Sequence, residues 1–408
     1  MYIYKIGIVG GGQMGGGIAQ SISFSPSIPV VIKDVNEERV NLALNTARKI
    51  YEGRVAKGKM SSGDVEQKMA LLTGTTTWEG FEDCDLIIEA VPEDVEIKKK
   101  VFAELDKVCQ PSAILASNTS AISISELGHA TQRPEKVAGL HFFYPAHVMK
   151  LVEVIPGLAT ADETCDDLMS FVTDMRKIGV KVQECAGFLV NRLLLPYASE
   201  ACLALEQGAA TADEIDGKMK EFGWPMGPFF LLDQLGIDIV VKAGAVMLDS
   251  YGPRSADPRI LHKLYEAGQL GKKTGRGFFA YDGDEDGARA ALAKHIAACQ
   301  EETGVKGTTF SLERVMYPMV NEAALCLQEK VCSASDLDIS TLAGIGFPLD
   351  KEGVLHWADN VGLDVIVDGL KEFSAKLGGR FWPAPYLRRM VAAGWTGKKA
   401  GKGFFDYV

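Results

Sequence analysis

Lys5-Ile6-Gly7-Ile8-Val9-Gly10-Gly11-Gly12-Gln13-Met14-Gly15-Gly16-Gly17-Ile18-Ala19-Gln20-Ser21-Ile22 decides the fold. Lys5 to Val9 is nearly all apolar, as a parallel strand buried on both faces must be. Glycines follow, then a run that reads as a helix. A second apolar run, Val30-Val31-Ile32, ends at Lys33-Asp34. The order is strand, glycine turn, helix, strand. Gly10 permits the tight turn, Gly12 lets the backbone approach a pyrophosphate without a Cβ in the way, and Gly15 lets helix and strand pack closely. The helix N-terminus offers unpaired N–H groups and the positive end of its dipole to phosphates. Asp34 lies 19 residues after Gly15. A carboxylate there accepts from ribose hydroxyls and repels a 2′-phosphate, so NAD is expected over NADP. The cofactor contacts expected from this turn are Gly10, Gly11, Gly12, Gln13, Met14, Gly15 and Asp34. Lys33 is a nearby cation that softens the bias.

Further strands are expected over 85–91, 113–117, 136–140 and 151–155, with a helix over 96–108. Alternating strands and helices predict a Rossmann-type doubly wound α/β sheet. Its ligands sit beyond the strand C-termini. Glu89-Ala90-Val91-Pro92-Glu93, Ser117-Asn118-Thr119-Ser120 and His141 all fall there.

A chain of 408 residues is long enough for two or three domains. A net charge of −11 argues against general nucleic-acid binding, which needs surplus Lys and Arg. Cys84, Cys109, Cys165, Cys185, Cys202, Cys299, Cys326 and Cys332 form no C-x-x-C pair and no zinc spacing, so buried thiols and no metal site are expected. The N-terminus lacks the pattern of a signal peptide, and no apolar run spans a bilayer. A cytoplasmic protein without membrane contact is expected.

His141 lies in Gly139-Leu140-His141-Phe142-Phe143-Tyr144-Pro145, and Glu153 follows twelve residues on. Two adjacent antiparallel strands would bring them together. An imidazole steadied by a carboxylate is suited to removing a hydroxyl proton. A lone His is more often structural, and spacing alone leaves the pair open.

The motifs GGGQMGGGIAQ, EAVPED, ASNTS, GLHFFYP, MKLVEVI, GFLVNRLL, PMGPF and GKKTGRGFF occur in that order along essentially the whole chain. Together they resemble the (S)-3-hydroxyacyl-CoA dehydrogenases of fatty-acid β-oxidation. The resemblance implies an NAD-dependent oxidoreductase converting a 3-hydroxyacyl-CoA thioester to its 3-oxo form. It implies His141 as general base, Glu153 as its partner, and Ser120 and Asn191 as groups that hydrogen-bond the substrate 3-oxygen. Glu93, Lys98 and Lys273 match cofactor contacts, with Ser120 beside the cofactor as well. Lys57, in the basic stretch 54–59, matches the region that reaches the CoA phosphates. Each has a plainer alternative. Ser120 and Asn191 are frequent helix caps, Glu93 and Lys98 could form a solvated surface pair, and Lys57 could be a solvated helix end. The sequence departs from the family at Tyr144, usually Asn, at Phe230, often Glu, and at Ala186, usually Pro.

An internal repeat is also legible. Asn191-Arg192-Leu193 aligns with Glu313-Arg314-Val315, Asp216 with Asp338, Asp233 with Asp359, and Gly271–Phe279 with Gly397–Phe405. The expected domains are 1–183 for NAD, a helical domain over 184–282, a linker over 283–309, and a second helical domain over 310–408. Asn191 becomes Glu313 in the second copy, which is therefore expected to be structural. An intrachain pseudo-dimer within a monomer is expected, with a homodimer as the alternative. Competing readings are a dehydrogenase of free 3-hydroxy acids and a non-catalytic NAD-binding protein. The resemblance extends to multifunctional β-oxidation enzymes, but no hydratase activity is expected.

Overall fold

The computed structural model describes residues 2–407. The chain divides into two compact units, one ending at Phe188 and one starting at Leu189.

The first unit runs β1 (Ile6–Val9), α1 (Gln13–Phe24), β2 (Val30–Lys33), α2 (Glu37–Ala56), α3 (Ser62–Met69), β3 (Leu72–Thr75), β4 (Leu86–Glu89), α4 (Val95–Val108), β5 (Ile114–Ser117), α5 (Ile124–His129), β6 (Val137–Phe142), β7 (Leu151–Pro156), α6 (Asp162–Asp174) and β8 (Ile178–Lys181). The strands form one sheet in the order β3-β2-β1-β4-β5-β6-β7-β8. Neighbours from β3 through to β6 pair parallel, β6 and β7 pair antiparallel, and β7 and β8 pair parallel. The sheet is therefore mixed at one edge. β3 and β8 are partly exposed, so their sequences carry no continuous apolar run. Every residue of β1, β4, β5, β6 and β7 is buried. Ile8, Ile88, Leu140 and Val154 pack with Ile18 and Ile22 of α1 and Leu168 and Phe171 of α6. Burying each such side chain contributes roughly 1.5–3 kcal/mol.

The first unit reaches five residues past the expected boundary at 183. Glu184 explains this. Its carboxylate accepts from the Ser123 hydroxyl at 2.6 Å, from the Ser125 N–H at 3.1 Å and from the Ser125 hydroxyl. Residues 184–188 are thereby tied back onto α5.

The second unit is helical, running α7 (Val190–Glu206), α8 (Ala212–Phe222), α9 (Pro228–Leu235), α10 (Ile237–Tyr251), α11 (Arg259–Glu266), α12 (Glu285–Thr303), α13 (Leu312–Gln328), α14 (Ala334–Ser340), α15 (Val354–Val361), α16 (Leu363–Leu377) and α17 (Pro385–Ala392). α7 and α13 are each 17 residues long, with a proline inside at Pro196 and Pro318. Buried Asp216 accepts from Phe229 and Phe230 N–H at 2.9 and 3.1 Å, and Asp338 accepts from Leu355 and His356 at 2.7 and 3.1 Å. Asp233 accepts from Phe278 and Phe279, and Asp359 from Phe404 and Phe405, all at 2.9–3.1 Å.

Two fully buried arginines join α7 to α13 reciprocally. Arg192 Nε donates to Glu322 at 2.7 Å, and Arg314 Nε donates to Glu200 at 2.8 Å. Arg254 and Arg380 add a second guanidinium to Glu322 and Glu200 respectively. Each helix thus gives one arginine to, and takes one arginine from, the other.

The stretch 283–309, expected to be a linker, contains α12. Asp284 caps it by accepting from Gly287 N–H at 3.0 Å, and Gly304 ends it in the left-handed conformation. The polar Asp282–Gly287 run is thus helix punctuation, and Ala288, Leu292 and Cys299 supply the buried face.

Arg314→Leu would leave Glu200 buried with one cation fewer, and removing one member of a buried pair costs about 3–5 kcal/mol. We expect urea denaturation followed by circular dichroism to show a loss near the lower end of that range, because Arg380 remains.

Candidate functional site

The strand order reverses between β1 and β4, so their C-terminal ends open a crevice. The glycine turn lies on one side of it. A Cβ on Gly15 would sit 1.9 Å from the Gly10 carbonyl oxygen, so only glycine lets α1 start there. A Cβ on Gly12 would meet nothing within 4 Å. The space above Gly12 is a cradle open to a ligand, and α1 begins with no side-chain cap on its N–H groups. Asp34 at the end of β2 accepts from the Gly11 N–H at 2.6 Å and from the Val35 N–H at 2.6 Å. Its carboxylate is held beside the turn, where ribose hydroxyls bind in such folds. Lys33 lies with its ammonium 4.3 Å from the centre of the Trp78 ring. That cation is engaged by an aromatic face. These residues fit a bound dinucleotide.

Across the crevice, Lys98 of α4 is buried and its ammonium is enclosed. It donates to Glu89 Oε1 at 2.7 Å and the Val91 carbonyl at 3.3 Å, and lies 3.3 Å from Glu93 Oε2. Lys98 and Glu93 are therefore not a solvated surface pair. Glu89 is fully buried and also accepts from the Ser117 hydroxyl at 2.6 Å. Glu93 accepts from the Thr119 hydroxyl at 2.7 Å, the Ser120 N–H at 2.8 Å and the Ser120 hydroxyl at 3.1 Å. Burial opposes ionisation of Glu93, but the charge of Lys98 and these donors together hold its carboxyl below the usual value. Ser120 is not a helix cap. Ser123 fills that role for α5, accepting from the Glu126 N–H.

His141 and Glu153 stand directly opposite each other in the β6–β7 ladder. His141 Nδ1 lies 2.7 Å from Glu153 Oε2, and Glu153 is wholly buried. A carboxylate there fixes the tautomer with the proton on Nδ1. Phe143 and Phe188 flank the imidazole, with ring centroids 4.5 and 5.8 Å away. Asn118 Oδ1 accepts from the Phe142 N–H at 2.8 Å and ties the end of β6 to the loop after β5. Tyr144, the departure from the family asparagine, is exposed and donates its hydroxyl to Gln13 Oε1 at 3.0 Å.

The first unit thus gathers Gly10 to Gly15, Asp34, Glu93, Lys98, Ser120, His141 and Glu153 at the C-terminal ends of its parallel strands. Asn191 and Lys273 belong to the second unit. Asn191 lies in the first turn of α7 and Lys273 is paired with Asp238. Lys57 is exposed just after α2. Burial, together with the charges of Lys177, Arg54 and Lys57, pushes the His147 imidazole below its ordinary value, so a cluster of positive charge lies around that loop. Sequence reasoning placed Glu89 and Asn118 at the ligand end of the sheet but gave neither a role. A carboxylate at the end of an apolar strand, nine residues before a lysine on the next helix, was the available signal for Glu89.

A family model described as 3-hydroxyacyl-CoA dehydrogenase, NAD binding domain, matches residues 5–185. Another, described as 3-hydroxyacyl-CoA dehydrogenase, C-terminal domain, matches residues 187–281 and 310–407. The chain belongs to the 3-hydroxyacyl-CoA dehydrogenase family. Its first unit is that family's NAD-binding domain. The fatty acid oxidation complex subunit alpha of Idiomarina loihiensis is 36% identical over 395 residues, covering 97% of this chain and 56% of that protein. The chain spans a little over half the length of the curated relatives it matches, at 55–56%. Among solved structures, 3-hydroxybutyryl-CoA dehydrogenase from Escherichia coli superposes with a TM-score of 0.86 at 28% identity, covering 96% of this chain and 99% of that one. (S)-3-hydroxybutyryl-CoA dehydrogenase PaaH1 from Ralstonia eutropha gives 0.67 at 34% identity, covering 69% and 100%.

Asp34→Ser keeps a short polar side chain but removes the charge. Losing a charged hydrogen-bond acceptor costs about 1.5–3 kcal/mol, or roughly 10- to 100-fold in affinity. Fluorescence titration should show NADH binding weakened by that factor and the preference over NADPH reduced.

Proposed function

We propose that this protein oxidises (S)-3-hydroxyacyl-CoA thioesters to 3-oxoacyl-CoA in fatty-acid β-oxidation. The observation that carries the reading is the His141–Glu153 pair, 2.7 Å apart and set at the same sheet end as the nucleotide turn. The names of the family models and relatives support the substrate class. Bound NAD supplies the acceptor for the hydride that leaves C3. His141 Nε2 takes the proton from the 3-hydroxyl as the carbonyl forms. Glu153 holds Nδ1–H and stabilises the resulting imidazolium. Ser120 and Asn191 hydrogen-bond the 3-oxygen and orient it. Ser120 has to release its hydroxyl from Glu93 to do so, while Glu93 keeps the Thr119 hydroxyl and the Ser120 N–H. Glu93 and Lys98 shape the cofactor side of the crevice, and Lys273 is a further cofactor contact. Lys57, exposed just after α2, offers positive charge to the CoA phosphates.

The second unit is read as a tandem duplication whose copies face each other as a pseudo-dimer. The paired aspartates, the matched prolines and the reciprocal Arg–Glu contacts support this. The reading gives domains of 1–183, 184–282 and 310–408, with Glu313 in place of Asn191 making the second copy structural. A monomer is expected in light scattering. Among the described residues no helix is long and apolar enough to cross a membrane.

The test is NADH formation from 3-hydroxyacyl-CoA thioesters of increasing length against free 3-hydroxy acids. Turnover confined to the free acids would overturn the substrate class. His141→Gln is expected to lower kcat by about 10²–10⁴-fold, the usual worth of a general base. Glu153→Gln should lower it in the same direction but less, and both variants should bind NADH as the parent does.

A further inference from the structure

Tyr144 and Gln13 are 131 residues apart in sequence and come from strand ends that are not neighbours. Gln13 begins α1, directly after β1, and Tyr144 follows β6. β4 and β5 lie between those two strands. Three inter-strand spacings separate β1 from β6, about 14 Å in the sheet. A side-chain contact between their ends therefore reaches across the width held by β4 and β5. Those are the strands that deliver Glu89, Glu93, Ser117 and Ser120 to the crevice.

Both ends of the contact are anchored. The turn before Gln13 is held by Asp34 on the Gly11 N–H. The loop carrying Tyr144 is held by Lys177, whose ammonium donates to the Ala146 and Met149 carbonyls at 2.6 and 2.7 Å. Asn118 fixes the Phe142 N–H two residues before Tyr144. The linking bond itself is different. It joins two uncharged, exposed side chains, and a neutral hydrogen bond of that kind shifts an equilibrium only a few-fold. An asparagine, usual at this position in the family, lacks the ring's length to make it.

We propose that Tyr144 and Gln13 form an openable latch across the nucleotide crevice, which slows the escape of bound dinucleotide. The anchors keep the two ends in reach, and the weak bond lets them part. Tyr144 acts here as a positioning residue on cofactor residence and takes no part in proton or hydride transfer. The latch rests on dinucleotide binding by the first unit and not on the identity of the oxidised substrate.

The test is stopped-flow release of NADH from the intact chain, without acyl substrate, for the parent, Tyr144→Phe, Gln13→Leu and the double variant. Tyr144→Phe removes only an exposed hydroxyl, and thermal unfolding of the ligand-free protein should be unchanged. The expected result is NADH dissociation about 3- to 10-fold faster in Tyr144→Phe, with association little altered, and no further acceleration when Tyr144→Phe is added to Gln13→Leu, because both remove the same bond. A parental release rate in Tyr144→Phe would overturn the latch, and so would single effects that multiply in the double variant. Normal NADH kinetics without turnover of any thioester would instead count against the proposed substrate and leave the latch standing.

Discussion

The register of β6 against β7 is the constraint on which the first unit's chemistry rests. Side chains alternate across a strand, so a slip of one residue would send His141 and Glu153 to opposite faces. The register is held by burial. Both strands are fully buried, and Leu140, Phe142, Val152 and Val154 all pack into the same core. The antiparallel turn in a largely parallel sheet is what allows residues twelve positions apart to stand directly opposite. Glu153 has no exposure, so its carboxyl needs hydrogen-bond partners inside the protein. The imidazole is one of them, and the same contact sets its tautomer.

The opposite wall of the crevice is built on a different economy of charge. Lys98 is buried between two carboxylates, Glu89 with no exposure and Glu93 partly open to solvent. Hydroxyl and amide donors from Ser117, Thr119 and Ser120 complete the shell of acceptors. The C-terminal ends of β4 and β5 are thereby locked together through side chains as well as through the ladder. The Ser120 hydroxyl makes the longest of the three hydrogen bonds to Glu93, at 3.1 Å against 2.7 and 2.8 Å.

Much of this was legible because the determining signals were local. The glycine turn, Asp34 and the alternation of strands and helices lie within short windows with strong backbone demands. His141 and Glu153 were legible as a pair, but their apposition depended on a strand direction that no local pattern gives. Glu89 was placed at the sheet end but given no role, because its partner Lys98 is brought to it only by the crossover. The compact unit runs five residues beyond 183 because Glu184 is held by α5, some 60 residues earlier in the chain, a tie that no local pattern shows. The segment expected as a linker over 283–309 lies between the two stretches matched by the C-terminal family model and is helical, because the Ala-rich stretch behind Asp284 carries a helix with a thin buried stripe. The Tyr144–Gln13 contact was invisible, since the departure from the family residue was plain but its partner was not.

The exchange of Arg192 and Arg314 between α7 and α13 has a consequence beyond stability. In a two-chain assembly such a contact forms only above a threshold of protein concentration. Here both halves belong to one polypeptide, so each sees the other at an effective concentration on the order of millimolar, whatever the dilution. Pairing no longer requires the two surfaces to remain identical, only complementary. On the proposed duplication, each half is free to accumulate substitutions of its own, and the pairs Asn191 and Glu313, or Phe230 and His356, are the kind of difference that tethering permits.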